Sequence, residues 1–496
     1  MGRAAVALKP GSVALATGLL MCIVSASAVA QERRALSLHP DNGHYFLFRG
    51  KPTVLVASGE HYGALLNLDF DYKPYFRELE SKGLNLTRTF SGVYREVPGS
   101  FNIENNTLAP KPDKYVCPWG GSDQPGARQG GNKYDLAKWN EAYFARLKDF
   151  VAEAGKRGVV VELVLFCTFY EDVLWDICPL NAKNNVNNVG HVKREEAHTL
   201  KEKALVDAQT ALVRKVVAEL KDFDNVYYEV CNEPYFAGVA DDWQRLIART
   251  VVEAEKDFPA ERKHLVARNI ANGSTKIDNP DPNVSVFNFH YCHPPDAVGQ
   301  NYHLNRVISY DETGFRGQGD TVYRVHAWEF LLAGGGAFDH LDYSFTPDAE
   351  DGSAPVKPPT PGGGGATYRS QLQQLKKFMD GMEFVKMKPD REVVRSAPKG
   401  VTVRALSEPG RQYGLYLSRV VAEKGSDGKE TGKHSDPTPG QPVKLALKLR
   451  PGNYRAEWVD TRTGQQTAFV LSGGDVEVIS PNFTEDLALR FNLSDR

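Results

Sequence analysis

Between residues 53 and 341 the chain alternates between strand-like and helix-like segments, and this alternation limits the possible folds more than any other feature. Strand–helix alternation implies parallel pairing with right-handed crossovers, and eight such units predict a closed (β/α)8 barrel. A doubly wound open sheet is the alternative, but no Gly-rich phosphate loop follows the first strand. Apolar, β-branched segments predict the strands at 53–57, 84–90, 159–167, 225–231, 264–268, 284–291, 306–310 and 336–341. Helical periodicity predicts helices at 72–82, 138–157, 199–221, 241–257 and 321–332.

From residue 389 onward the pattern changes to short alternating runs separated by turn residues, as in VKLALKL and YRAEWVD. Such runs predict a small antiparallel β-sandwich after the barrel. The expected organisation is a catalytic barrel domain over 31–388 and a β-sandwich domain over 389–496. Within the first of these, the Pro- and Gly-rich segment 347–365 predicts a flexible loop, followed by a helix over 367–384.

The first thirty residues predict an export signal rather than a part of the fold. Arg3 and Lys9 precede an apolar run at 13–24, and Ala28-Val29-Ala30 provides an A-x-A cleavage pattern. The apolar run is too short to span a bilayer, although a membrane anchor is the alternative interpretation. We therefore expect a secreted or periplasmic protein that does not associate with a membrane once residues 1–30 are removed.

Composition excludes several classes of function. Without residues 1–30 the chain has 58 basic and 62 acidic residues, and this balance provides no electrostatic surface for nucleic acid. A neutral substrate fits better. The sequence contains no CxxC, HExxH or His-rich tract, so no metal site and no cofactor are predicted.

The cysteines of the mature chain do not predict a disulfide framework, because their number is odd and they are sparse. One bridge among the first three remains open at this stage, and the last two are expected to be buried thiols. In chain order they are Cys117, Cys167, Cys178, Cys231 and Cys292.

The functional residues of a (β/α)8 barrel lie at the C-terminal ends of its strands, and two glutamates occupy such positions. Glu233 ends the fourth strand in the sequence NVYYEVCNEP, and Glu312 ends the seventh. These strands face each other across the barrel mouth, so the carboxylates are predicted to converge. Glycoside hydrolysis requires such a pair, because one group protonates the leaving oxygen while the other attacks the sugar or activates water. Burial and the neighbouring negative charge are expected to raise the pKa of one carboxyl group so that it stays protonated.

At these residues the chain resembles clan A glycoside hydrolases, and glycoside hydrolase family 5, which is cellulase-like, is the nearest family. The resemblance covers residues 36–385 and rests on Asn232-Glu233-Pro234, Glu312 and Arg88, which end the fourth, seventh and second strands. It implies a retaining enzyme that cleaves a β-linked oligosaccharide or polysaccharide by double displacement. Glu233 would be the acid/base and Glu312 the nucleophile.

The resemblance also implies roles for residues around this pair. Asn232 would hold the sugar 2-hydroxyl, Arg88 would orient Glu312, and His290, with Tyr291 beside it, would line the subsite where the bond breaks. Glu60 and His61, which follow the first strand, are further candidates for contact with sugar hydroxyls. An ordinary role in the loop is the alternative for both.

Asp311 competes with Glu312 for the role of the second carboxylate. Adjacent residues on a strand point in opposite directions, so only one of the two is expected to face the barrel mouth, and we favour Glu312. In the long loops 91–135 and 168–198, three aromatic residues either stack on sugar rings or anchor the loops. They are Trp119, Tyr170 and Trp175.

The chain also departs from the family 5 pattern. Cys167-Thr168-Phe169 ends the third strand where a histidine is usual, and Cys292 stands where a tyrosine is usual. No tryptophan ends the eighth strand. Trp328 lies in the preceding helical stretch, and core packing is expected for it. These departures leave a second function open, that of a non-catalytic carbohydrate-binding barrel.

Overall fold

The computed structural model describes residues 34–424, 430–434 and 440–494, together with residues 1, 2 and 7. The predicted signal peptide therefore lies almost wholly outside the described residues. In these ranges no helix has both the length and the apolar character needed to cross a membrane. The chain from Arg34 onward forms one compact unit.

Eight parallel strands form the central sheet of the described chain, and their order around the sheet is that of a barrel. The strands are β1 (Leu55–Val56), β2 (Leu86–Phe90), β3 (Val160–Cys167), β4 (Val226–Asn232), β5 (Val266–Asn272), β6 (Val286–His290), β7 (Val307–Glu312) and β8 (Ala337–Phe338). Strand β8 pairs with β1. Between β1 and β2, Asn85 closes the ring: its N–H donates to Val56 O at 3.1 Å, and its Oδ1 accepts from Val56 N–H at 2.8 Å. The predicted (β/α)8 barrel is confirmed.

In the described chain an α-helix follows each barrel strand except β5, which leads to β6 without one, and the longer helices lie close to their predicted spans. Each long helix buries an apolar stripe, as α4 does with Leu205, Leu212 and Val216. The helices are α1 (Tyr72–Ser81), α2 (Glu141–Lys156), α3 (Asp172–Asp176), α4 (Lys203–Leu220), α5 (Asp241–Ala254), α6 (Asp296–Asn301), α7 (Asp320–Leu332) and α8 (Ala366–Asp380). Short 3-10 helices lie at Ser100–Asn102, Pro112–Lys114, Arg194–Glu196, Ala260–Arg262, Tyr302–Leu304 and Phe384–Lys386.

A small antiparallel sheet precedes the barrel and closes its lower end. Its strands are Ser37–His39, Asn42–Phe48 and Lys51–Thr53. Phe46 and Phe48 from this sheet share an apolar cluster with Leu86, Val160 and Tyr227, which lie near the N-terminal ends of β2, β3 and β4. The catalytic face predicted from the sequence is therefore the opposite, open end.

Two segments that the sequence predicts as loops carry more structure than expected. The loop after β2 contains an antiparallel hairpin formed by Trp119–Pro125 and Asn132–Trp139. The segment 347–365 packs on the loop after β7, where Gly317 N–H donates to Pro361 O at 3.0 Å. A Cβ atom on Gly362 would lie 1.7 Å from Gly314 O, so this close approach of two backbones requires glycine.

The C-terminal strands form an antiparallel β-domain, as the alternating pattern predicts. One sheet contains Lys388–Pro389, Val394–Ser396, Thr402–Glu408, Gln412–Ser418, Lys444–Val459, Gln466–Ile479 and Asp486–Leu493, and a separate pair contains Val420–Lys424 and Glu430–His434. Leu415 and Leu417 point into the domain's own apolar core. On the other face Tyr416 stacks on Trp328 of α7 with ring centroids 5.4 Å apart, so Trp328 packs in the core as predicted.

Candidate active site

The ends of β4 and β7 bring Glu233 and Glu312 into one cavity of about 750 Å³. A carboxylate oxygen of each residue and a ring nitrogen of His290 all lie within 4.8 Å of one another. Both glutamates are almost completely buried. The convergence that the sequence predicts is therefore present, in a cavity within the range of about 300–1,000 Å³ that is usual for small-molecule sites.

The backbone is strained at several residues around the cavity, three of which lie at or close to the two glutamates. Tyr62, Glu233 and Tyr291 have φ angles of 60°, 46° and 47°, in the left-handed region that non-glycine residues rarely adopt. Each such residue costs about 1–3 kcal/mol and persists only where its surroundings hold it. Because all three line the cavity, the strain is concentrated where a function would need side chains aimed at one point.

Four side chains surround the carboxylate of Glu312. The hydroxyls of Tyr62 and Tyr291 donate to its two oxygens at 2.9 and 2.8 Å. His290 Nδ1 lies 3.4 Å from Oε1, and Arg88 Nη1 lies 3.5 Å from Oε2. Burial alone raises the pKa of Glu312, but the charge and hydrogen bond of His290, the charge of Arg88 and the Tyr291 hydroxyl outweigh it and bring the pKa to about 2. Glu312 is therefore an anion at neutral pH.

His290 lies behind the two carboxylates and is fully buried, so it does not line the cavity as the resemblance implied. Its Nδ1 is 3.1 Å from Glu233 Oε1, and its Nε2 is 3.6 Å from Asp311 Oδ1. Burial lowers the pKa of His290, but the nearby carboxylates of Glu312 and Asp311 hold that pKa well above its ordinary value. A positive charge on His290 thus balances the negative charges of Glu312 and Asp311.

Tyr170 connects Asn232 to Glu233. Its hydroxyl donates to Glu233 Oε2 and accepts from Asn232 Nδ2 at 2.9 Å. Of the three loop aromatics, this is the one that reaches the carboxylate pair. Trp119 is buried, and Trp175 is buried and donates to a backbone carbonyl at 2.9 Å, so both anchor loops.

Arg88, which the resemblance places as the residue that orients Glu312, lies beneath the cavity with a fully buried side chain. Its guanidinium donates twice to Glu229 at 2.9 Å and once to Asn232 Oδ1 at 2.7 Å. Arg88 Nη1 lies 3.5 Å from Glu312 Oε2, which is longer than the hydrogen bonds of Arg88 to Glu229 and Asn232. Arg88 therefore positions Glu229 and Asn232 more firmly than it positions Glu312. Glu229 escaped the sequence analysis, although it stands four residues before Glu233 on the same strand.

A layer of polar side chains fills the barrel between the cavity and the apolar lower end. Glu162 accepts hydrogen bonds from Tyr227 at 2.7 Å and from Asn288 at 2.6 Å. Burial and the nearby carboxylates of Asp311 and Glu229 raise the pKa of Glu162 well above its ordinary value. The raised pKa favours the uncharged form of Glu162 in this layer.

Two groups of three residues have the spacing of metal ligands, although the sequence predicts no metal. In each group one ligand atom per residue lies within 4.8 Å of the others; the groups are Glu233, His290 and Glu312, and Glu162, Glu229 and Asp311. In the first group His290 Nδ1 already lies 3.1 Å from Glu233 Oε1, within hydrogen-bond distance. In the second, Arg88 already donates to Glu229. Hydrogen bonding within the chain accounts for both groups.

Of the two adjacent acids, Glu312 lines the cavity and Asp311 does not, in agreement with the expectation that only one faces the barrel mouth, but Asp311 also reaches the barrel interior. The pairing of β6 with β7 shifts between Phe289 and His290, and this bulge turns two consecutive side chains inward. Asp311 is fully buried and lies 3.3 Å from Arg88 Nε, whereas Glu312 lines the cavity.

Glu60 is fully buried and does not line the cavity, so its prediction as a substrate-binding residue is wrong. Its carboxylate accepts from the backbone of Gly63 and Ala64 at 3.0 Å each and from the Thr107 hydroxyl at 2.6 Å. It fixes the loop after β1. His61 does line the cavity, with Nε2 3.4 Å from Glu96.

The departures from the family 5 pattern have clear structural counterparts. At the end of β3, Phe169 stacks on His198 at 5.3 Å, so an aromatic pair occupies this region. The hydroxyl that contacts Glu312 from the end of β6 belongs to Tyr291. All five cysteines of the described chain are buried free thiols, so the bridge that the sequence left open among the first three is not formed.

No family model and no curated protein matches the sequence. Solved structures match its fold. A glycoside hydrolase superposes with a TM-score of 0.62 at 13% identity, covering 94% of this chain and 98% of that chain. A glycoside hydrolase family 5 protein from Bacteroides vulgatus gives a TM-score of 0.63 at 13% identity, covering 93% of this chain and 94% of that one. The chain therefore shares the fold of these glycoside hydrolases. At these identities the likeness concerns the fold, so the activity must be argued from the site.

Proposed function

We propose that this protein is a secreted or periplasmic retaining glycosidase that hydrolyses β-linked oligosaccharides or polysaccharides. The observation that carries the proposal is the approach of Glu233 and Glu312 within one cavity, with oxygens within 4.8 Å. Retaining glycosidases place their carboxyl groups about 5–5.5 Å apart, and inverting ones about 6.5–9.5 Å apart to leave room for a water. The spacing observed here favours the retaining class.

In the first step, Glu312 acts as the nucleophile. One of its oxygens forms a bond to the anomeric carbon while the bond from that carbon to the leaving oxygen breaks, and Glu233 transfers its proton to that oxygen. The low pKa of Glu312 provides the anion that this step needs. The hydroxyls of Tyr62 and Tyr291 hold both oxygens in place.

In the second step, Glu233 acts as a base. It removes a proton from a water whose oxygen attacks the anomeric carbon, and the bond to Glu312 breaks, which restores the Glu312 carboxylate and the protonated Glu233. The Tyr170 hydroxyl donates to Glu233 Oε2, and the Tyr235 hydroxyl lies 3.3 Å from Oε1, so the two rings hold the carboxyl group in the position needed in both steps.

The lining of the cavity supports a neutral sugar as the substrate. Aromatic faces stack on the apolar faces of sugar rings, and polar groups at a few points fix the hydroxyls. The aromatic residues that line the cavity are Tyr62, Phe90, Tyr94, Phe101, Tyr170, Phe236, Tyr291 and Phe315. Among the polar residues, Asn232 and His61 line the cavity and are available to sugar hydroxyls.

The test is a screen of purified protein against aryl β-glycosides and against β-glucan, mannan, xylan and galactan. Replacing an acid/base residue typically lowers the rate by about 10²–10⁴-fold, so Glu233→Gln and Glu312→Gln are both expected to lose activity on the substrate found. A 2-deoxy-2-fluoro glycoside is expected to label Glu312. Cleavage that neither substitution affects would refute the assignment, and sugar binding without cleavage would favour the non-catalytic barrel.

Export is tested separately. Expression of the full chain in a bacterium is expected to give a periplasmic or secreted protein that begins at Gln31, as N-terminal sequencing would show. Retention of Met1 in a protein located in the cytoplasm would contradict this part of the proposal.

A further inference from the structure

Aromatic side chains from distant loops meet over one half of the cavity mouth. Phe101, in the loop after β2, contacts Phe315, in the loop after β7, with ring centroids 6.3 Å apart. Phe101 also contacts Tyr170, in the loop after β3, at 5.3 Å. Because β8 and β1 lie between β7 and β2 in the barrel, the contact between Phe101 and Phe315 forms an arch over the β8–β1 side.

Two hydrogen bonds of Thr360 hold together the loops that carry this arch. Thr360, in the Pro- and Gly-rich segment 347–365, accepts a hydrogen bond from Glu104 N–H at 3.4 Å through its hydroxyl. Its carbonyl accepts from Gln318 Nε2 at 2.6 Å. Thr360 therefore ties the loop of Phe101 to the loop of Phe315. Phe101 itself has a strained φ of 55°, which such contacts must maintain.

The opposite side of the mouth, next to Glu233, is open. Tyr235 and Phe236 follow β4 and are 37% and 56% exposed. The hydroxyl of Tyr235 donates to Asn272 Oδ1 at 2.7 Å and lies 3.3 Å from Glu233 Oε1, which holds the ring beside the carboxylate. Exposed aromatic rings at the edge of a cavity provide a surface on which a sugar can stack.

The two roles of the carboxylates determine how a substrate must lie in this cavity. The group that protonates the leaving oxygen must be close to the departing part of the substrate, and that part therefore extends on the Glu233 side. The sugar that becomes bonded to Glu312 lies on the other side, under the arch. A longer chain cannot continue through the position of Phe101 and Phe315.

We propose that the cavity is a blind pocket that accepts the non-reducing end of a glycan, so that the enzyme is exo-acting, with Phe101 and Phe315 as the residues that exclude internal binding. Tyr235 and Phe236 carry the departing part of the substrate. This inference rests on the proposed glycosidase function and defines which bond of the substrate is cut.

The experiment compares an aryl glycoside with the polysaccharide of the same sugar. The wild-type protein is expected to release short products from the polysaccharide while its viscosity stays unchanged at low conversion. It is also expected to leave intact an oligosaccharide whose non-reducing terminal sugar is chemically blocked. An early loss of viscosity, or cleavage of the blocked oligosaccharide, would overturn the exo assignment. Absence of cleavage of every aryl glycoside would instead refute the glycosidase function itself.

The arch residues are tested with the double variant Phe101→Ala/Phe315→Ala. It is expected to gain internal cleavage, seen as viscosity loss and as cutting of the blocked oligosaccharide. Leu200→Ala is the matched control, since Leu200 is 46% exposed and does not line the cavity; its product pattern is expected to match the wild type. Thermal unfolding of each variant confirms that it is folded. A folded double variant that still cuts only at chain ends would refute the role of the arch.

The open side is tested with Phe236→Ala. The loss of one stacked ring is expected to raise KM for an oligosaccharide about threefold to tenfold more than for the methyl glycoside of the same sugar. An equal change for both substrates would mean that the departing part does not rest on Phe236.

Discussion

At the level of single residues, the site depends on how Glu312 is kept ionised while it is buried. Burial opposes ionisation, and the charges of His290 and Arg88 together with hydrogen bonds overcome it. The hydroxyl of Tyr291 is one of these donors and is also held in a strained backbone. The strained backbone at Tyr291 thus places a donor on the carboxylate of Glu312.

Removing that hydroxyl is expected to change the pH dependence of the enzyme. In Tyr291→Phe the pKa of Glu312 rises, by about one unit if one hydrogen bond to a charged group is lost. Because the nucleophile proposed here, Glu312, must react as an anion, activity is expected to be lost as the pH falls through its pKa, so the acidic limb of kcat/KM is expected to move to higher pH. Tyr343→Phe is the control, because the Tyr343 hydroxyl has no hydrogen-bond partner in the described chain. An unchanged acidic limb in Tyr291→Phe would contradict this account.

The buried Arg88 is expected to be important for stability. Removing one partner of a buried ion pair leaves the other charge uncompensated, so Arg88→Met is expected to lower the free energy of unfolding by about 3–5 kcal/mol. Urea denaturation measures this loss. In Arg88→Met/Glu229→Met a large part of the stability is expected to return. The exposed pair Arg249–Glu253 provides the control, since Arg249→Met is expected to cost no more than about 0.5 kcal/mol. If Arg88→Met/Glu229→Met were as unstable as Arg88→Met, the loss of stability would not come from an uncompensated Glu229.

At the level of secondary structure, Asn85 joins β1 to β2 through its side chain. Its Oδ1 accepts from Val56 N–H, and its Nδ2 donates to Val54 O at 3.0 Å. The side chain of Asn85 therefore makes two of the three hydrogen bonds by which this residue holds the segment of β1. The same strand leads into the loop that carries His61 and Tyr62.

Asn85→Ala is expected to lower the free energy of unfolding by about 1–3 kcal/mol, because it leaves buried backbone groups of β1 without partners. Hydrogen exchange is expected to show that the amide of Val56 loses protection. Asn132→Ala, at an exposed asparagine in the hairpin, is the matched control and should have little effect. Equal stability of the two variants would show that the barrel closes without Asn85.

At the level of the whole molecule, α7 belongs to both the barrel and the β-domain. Arg324 on this helix is buried and pairs with Asp486 of the β-domain, Nε lying 3.0 Å from each carboxylate oxygen. One turn further on, Glu329 accepts from the Thr402 hydroxyl at 2.8 Å. Together with the stacking of Trp328 on Tyr416, these contacts join the two parts through buried groups.

The full chain is therefore expected to unfold in one transition, with far-UV circular dichroism and tryptophan fluorescence changing together. Asp486→Asn is expected to lower the stability of this single transition, since Arg324 then loses its charged partner. Asp475→Asn, at an exposed position of the same domain, should leave the transition unchanged. Two separate transitions, with only the second moved by Asp486→Asn, would show that the parts unfold independently.

The sequence by itself determined the barrel and the two acids, because both depend on local patterns. Apolar strands alternate with amphipathic helices, and Glu233 and Glu312 stand where strands end, so their position follows from the repeating unit. The tertiary structure alone decided the rest. Residues far apart in the chain meet at the Arg88–Glu229 pair and at the arch of Phe101 and Phe315 over the cavity. A bulge in β7 also overrides the alternation of side chains between the two faces of a strand that local spacing predicts. Such contacts depend on loop paths and strand register, which no local periodicity encodes.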